Sequence, residues 1–133
     1  MEIILVVLGL VFILGIFLII KYSKGKKLTS HQKSLILRNY KRVSANKDYK
    51  HQIIDFDKLY HKILGELDYK GSFGQILKQN PRVINDINKV WELHKLRNKL
   101  VHEFDSLSED ILKRKSNEYD KLIKRLINEV TKK

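Results

Sequence analysis

Residues 83–102 read Val83-Ile84-Asn85-Asp86-Ile87-Asn88-Lys89-Val90-Trp91-Glu92-Leu93-His94-Lys95-Leu96-Arg97-Asn98-Lys99-Leu100-Val101-His102. Placed on a helical wheel with Val83 at zero, Ile87, Val90 and Val101 fall within roughly 40° of it. Lys89, Glu92, Lys95, Lys99 and Glu103 take the opposite side, as a solvated face should. The spacing predicts a long amphipathic helix, opened by Asn80-Pro81 because proline suits a first-turn position. The apolar stripe is interrupted, however. Arg97, His94 and Asn98 fall at roughly 320°, 20° and 60°, inside the apolar arc, and His102 falls near 100°, beside Ile84 and Trp91. Buried polar groups are costly unless satisfied, so this run is either an internal polar network or a site.

The pattern repeats on either side of this segment. A helix is expected from about His31 to Val43, with Leu35, Leu37 and Tyr40 apolar, broken by Ser44-Ala45-Asn46-Lys47-Asp48. A second is expected from Tyr49 to Leu67, its face formed by Ile53, Phe56, Tyr60, Ile63, Leu64 and Leu67 at spacings of three and four. Gly71 and Gly74 mark a turn before a short helix near Gln75–Lys78. Ser106 or Ser108 caps the last helix, whose first turn carries Glu109 and Asp110 and whose inner stripe is Tyr119, Leu122, Ile123, Leu126 and Ile127. No strand-like alternation persists. The fold class expected is all-α: an antiparallel bundle of about four to five helices over residues 31–133.

Ahead of the bundle, Ile3–Ile20 is apolar throughout, and Glu2 is the only charged side chain before Lys21. At roughly 1.5 Å per residue this run spans most of a hydrocarbon core. A secretory signal peptide would need a basic leading region and a small-residue cleavage site, and Ile-Ile-Lys-Tyr-Ser offers a poor one. Lys21, Lys24, Lys26 and Lys27 follow the run, which by the positive-inside rule keeps that flank in the cytoplasm. The expected layout is a transmembrane anchor over residues 1–22 contacting lipid through residues 3–20, a basic linker over 23–30, and a cytoplasmic domain. The protein is then a single-pass protein of the plasma or inner membrane. Formal net charge is +12, with 27 Lys+Arg against 15 Asp+Glu, and the basic excess all lies after residue 20. That balance suits a phosphate-rich partner, nucleic acid or an anionic leaflet.

The chain contains no cysteine, which removes disulfides, cysteine nucleophiles and thiolate metal sites. His94 and His102 are eight apart and HExxH is absent, so a zinc site is not expected. No phosphate-binding loop, GxGxxG or GxSxG occurs, and no cofactor is implied. In the second helix Asp57 lies about 40° from Ile53, inside that helix's apolar arc. Asp57 and Arg97 are therefore expected to pair across two helices, because a buried charge requires a counter-charge. His94 reads as a satisfied core histidine. His61 follows Asp57 by four residues, a spacing that could orient an imidazole but is common on surfaces.

The run Arg97-Asn98-Lys99-Leu100-Val101-His102 resembles the signature of HEPN domains, small helical bundles in which an arginine precedes a histidine by four to six intervening residues. The wider stretch 31–127, including Ile53–Leu59, Leu67–Gly71 and the order Trp91, His94, Arg97, is similar to a group of membrane-anchored bacterial proteins with HEPN-like C-terminal domains. The resemblance implies a metal-independent endoribonuclease or a non-catalytic adaptor. In the nuclease case Arg97, Asn98 and His102 are the catalytic residues, with Arg97, Asn98, Lys95 and Lys99 binding RNA. The motif face would then form a homodimer interface. Some family toxins carry a tyrosine two residues after the histidine; here Phe104 stands there, so that form of control is not implied. The alternative is a membrane-tethered interaction module with a protein partner.

Overall fold

The computed structural model describes residues 1–23, 25–102 and 107–132, excepting the side chains of 21–23. Among them it has six helices and no strand: α1 Glu2–Ser23, α2 Ser30–Ser44, α3 Tyr49–Glu66, α4 Phe73–Lys78, α5 Ile87–His102 and α6 Glu109–Thr131. The expectations placed on Lys24, Glu103, Phe104 and Ser106 fall outside the described residues.

From Glu2 to Ile20, α1 is long and apolar enough to cross a membrane, and none of that span is buried against the rest of the chain. The other helices begin where a side chain can take an orphan N–H. Thr29 and Gln32 form a reciprocal capping box at α2, and Ser72 and Gln75 form another at α4. Asp48 accepts from His51 N–H at α3, and Ser108 from Ile111 N–H at α6. The linker is less free than its composition suggests, because Leu28 is buried and Lys26 Nζ reaches Asp68 Oδ1 at 2.9 Å.

α2 runs out from the α1 end and α3 returns, as Gln32 bonds Glu66 while Gln52 reaches the carbonyls of Val43, Ser44 and Asn46. Gln52 thereby satisfies the C-terminal end of α2, and its own amide oxygen accepts from Ser116. α5 and α6 run opposite to each other, tied by Lys89 with Glu118 and Lys115 with Glu92. α3 is the central helix, packing on α2, α5 and α6. Its Ile53, Phe56, Ile63 and Leu64, with Tyr119 and Ile123 of α6, are fully buried and form the middle of the core. Fully burying side chains of this kind is worth roughly 1.5–3 kcal/mol each, the main term holding the bundle.

Three details differ from the periodicity reading. α5 begins at Ile87, not at Pro81. Asp86 takes Lys89 N–H on its side chain and Val90 N–H on its carbonyl, so local capping sets the start. The preceding Asn80 sits at φ 50°, which ends α4 and turns the chain into a loop through Pro81. In α2 the inner stripe is Ile36, Tyr40 and Val43, while Leu37 is exposed. On α5 the buried apolar residues are Val90, Leu93 and Leu100, and Val101 is exposed.

Candidate functional site

Asp57 is the centre of the polar cluster. It lies midway along α3, and its side chain is 5% exposed. Three groups converge on it from two other helices. Tyr119 Oη of α6 donates to Oδ1 at 2.6 Å. His94 Nδ1 of α5 lies 3.0 Å from Oδ1 and 3.2 Å from Oδ2. An ionised carboxylate only accepts, so this partner assigns the proton to Nδ1. Arg97 Nε stands 3.6 Å from Oδ2, within ion-pair range.

Each ring is held by packing. Phe73 meets His94 edge-on at 4.7 Å, and the Trp91 ring lies tilted to it at 6.1 Å. Tyr119 sits between Phe56 and Tyr60. Burial, then the Asp57 charge and the bond to it, push the Tyr119 phenol well above its ordinary pKa of 10.0. The phenol is thus a fixed donor to the carboxylate across the physiological range.

Arg97 bridges inside and outside. Its Nε is buried with no hydrogen-bond partner, although it faces Asp57. Its Nη1 donates to Asn98 Oδ1 at 2.9 Å, and the side chain is 25% exposed. An arginine gripped from behind by a carboxylate presents its outer edge in one orientation, at a cost in stability set by the unbonded Nε.

The remaining predicted residues lie elsewhere. Lys95 and Lys99 are exposed on the side of α5 turned toward α6, where Trp91, Leu96 and Lys115 join them in a shallow groove of about 690 Å³. Lys95 Nζ stands 5.9 Å over the Trp91 ring. His102, the last residue of α5, is exposed, and its side chain bonds none of the described residues. By helical geometry it lies about 20° from Trp91 and about 140° from Arg97. Within one chain, then, Asp57, His94, Arg97, Asn98 and Tyr119 come together, as do Trp91, Lys95 and Lys99. Arg97 and His102 do not share a face.

Sequence reasoning had no place for Tyr119 except as an apolar stripe residue. The available signal was that a buried phenol needs a hydrogen-bond partner. His61 does not turn to Asp57; its Nε2 lies 3.0 Å from Gly71 O and its ring stacks on Phe73.

The arrangement defines a helical bundle with a buried carboxylate hub behind one face of α5 and an aromatic, lysine-flanked groove on another. Compared with protein-family models, curated proteins and solved structures, the chain finds no match.

Proposed function

We propose that the protein is a single-pass membrane protein whose cytoplasmic bundle binds RNA on the α5 surface, in the manner of a HEPN-like domain. The observation that carries this reading is the groove in which Trp91 is flanked by the exposed Lys95 and Lys99, with the ion-paired Lys115 and Glu92 at its α6 edge. Lysines that track a phosphate backbone beside an aromatic face that stacks a base are the working parts of single-strand recognition. The +12 charge supplies long-range attraction, and Lys21, Lys24, Lys26 and Lys27, which follow the apolar run, favour a cytoplasmic bundle by the positive-inside rule.

His102 stands on the same strip of α5 as Trp91, and it supports a cleavage step. The RNA 2′-oxygen attacks the adjacent phosphorus and loses its proton to the imidazole. The P–O5′ bond breaks, and the leaving oxygen takes a proton from the same histidine of a second copy. Pairing two copies about a two-fold axis also brings Arg97, held by Asp57 and flanked by Asn98, toward the phosphate charge. One observation favours the second reading, a non-catalytic interaction module. Arg97 and His102 diverge within one chain, and Arg97 is already engaged by Asp57.

Trp91 is the chain's one tryptophan, so its fluorescence reports directly on the groove. Single-stranded RNA should quench it, with affinity falling steeply as salt rises. Lys95→Ala with Lys99→Ala should lower the salt slope by about 2. His102→Ala should leave binding intact and reduce cleavage by roughly 100-fold or more. Mass spectrometry should find a 2′,3′-cyclic phosphate on the product. Binding without cleavage by either wild type or His102→Ala selects the non-catalytic module. Absence of quenching defeats the RNA reading.

A further inference from the structure

Four segments distant in sequence meet at the α1 end of the bundle: the linker, the turn between α3 and α4, the loop between α4 and α5, and the C-terminal turn of α6. They enclose an open cleft of about 860 Å³ lined by Lys26, Lys27, Arg82 and Lys132, with Glu129 the one carboxylate among the described lining residues. The cleft also touches Ile19, one residue short of the end of the apolar span. With α1 in a bilayer, that contact places the cleft at the level of the lipid headgroups.

The charges are not all spoken for. Lys26 pairs with Asp68 at 2.9 Å and Lys132 with Glu129 at 2.7 Å. Lys27 and Arg82 make no ion pair with the described residues, and both are exposed. An arginine fork and an ammonium facing the same opening match a phosphodiester, the arginine through two oxygens and the lysine as a point charge. Val83 and Val130 add apolar wall beside them, suited to a glycerol backbone rather than to water alone.

We infer that this cleft binds the headgroup of an anionic phospholipid from the leaflet in which α1 ends. The inference rests on the anchor reading and is independent of the RNA groove. The position argues for lipid over a soluble polyanion. An opening that faces an anionic leaflet repels a nucleic acid, whereas a lipid phosphate is already there at high local concentration.

The full-length chain in a neutral detergent, titrated with phosphatidylglycerol or phosphatidylcholine, provides the test. Native mass spectrometry should count phosphatidylglycerol retained in preference to phosphatidylcholine. Lys27→Ala and Arg82→Ala should each reduce that retention on the order of fivefold. Lys113→Ala with Arg114→Ala, exposed near the opposite end of α6, should leave it unchanged. The same preparations are reconstituted into vesicles and extracted with carbonate. A chain that inserts but retains both lipids equally, or keeps its preference after Lys27→Ala and Arg82→Ala, overturns the headgroup site alone. A chain that carbonate releases overturns the anchor reading and the site with it.

Discussion

Two polar clusters grip α5 from different sides, and they use nearly the same chemistry. Inside, Asp57 gathers His94, Arg97 and Tyr119. Outside, Lys89, Glu92, Lys115 and Glu118 form a chain of contacts at 2.6–3.4 Å between α5 and α6. The distances overlap, but the carboxylates at the two centres differ in burial. The Asp57 side chain is 5% exposed and that of Glu92 is 46% exposed. Water can replace any member of the outer chain, so its loss is cheap. Nothing replaces Asp57, and its loss would leave a phenol, an imidazole and a guanidinium facing an apolar interior. Ion-pair geometry alone therefore says little about what a charge contributes; the surroundings decide it.

The comparison breaks most visibly at Asp57. Asp57→Ala should destabilise the detergent-solubilised chain by about 3–5 kcal/mol. Denaturant unfolding followed by helical circular dichroism is the measurement. A cost under about 1 kcal/mol would place the inner cluster with ordinary surface pairs.

Tyr119→Phe is the next step down, removing one hydrogen bond to a charged group at a cost of about 1.5–3 kcal/mol. It also carries a pH signature. The folded phenol titrates above its ordinary value of 10.0, so its stabilising contribution is complete below that pH and is lost as pH rises through the raised folded value. Wild type should weaken in that alkaline window, and Tyr119→Phe should lack that component.

The smallest effect belongs to Glu92→Gln. Hydrogen bonds from Lys115 and Lys89 hold the Glu92 carboxyl below its ordinary 4.5, so its contribution is present above that pH and lost as pH falls through the depressed value. Because the group is half exposed, the cost should be a few tenths of a kcal/mol, on the order of 0.2–1, and should vanish in high salt. A loss comparable to that of Asp57→Ala would erase the distinction between the two faces.

Much of the inner cluster was readable from helical spacing, because a charge on an apolar face is a local signal. Asp57 and Arg97 each stood out on their own helix. The convergence of His94 and Tyr119 was not readable, since it depends on which helices become neighbours and at what height. Periodicity did separate Arg97 from Lys95 and set His102 beside Trp91; what it could not show is that the Trp91 strip would border a groove closed by Lys115 of α6. Helix existence was legible where stripes were long. The start of α5 was misplaced because Asp86 caps more strongly than Pro81 initiates. In α2, three consecutive apolar residues, Leu35 to Leu37, hid the true inward position at Ile36.

The up-and-down path of the helices sets a height as well as a core. α2 begins, and α3 and α6 end, near the close of α1, so His102 and the α2–α3 turn lie at the far tip. The sixteen residues of α5, at about 1.5 Å each, make a strut of about 24 Å. With α1 in a bilayer, whatever docks on this helix is confined to a thin layer above the lipid surface. Encounters there are governed by surface density more than by bulk concentration. A partner able to stand off the membrane by that distance would be selected over one lying flat on it, with no additional contact required.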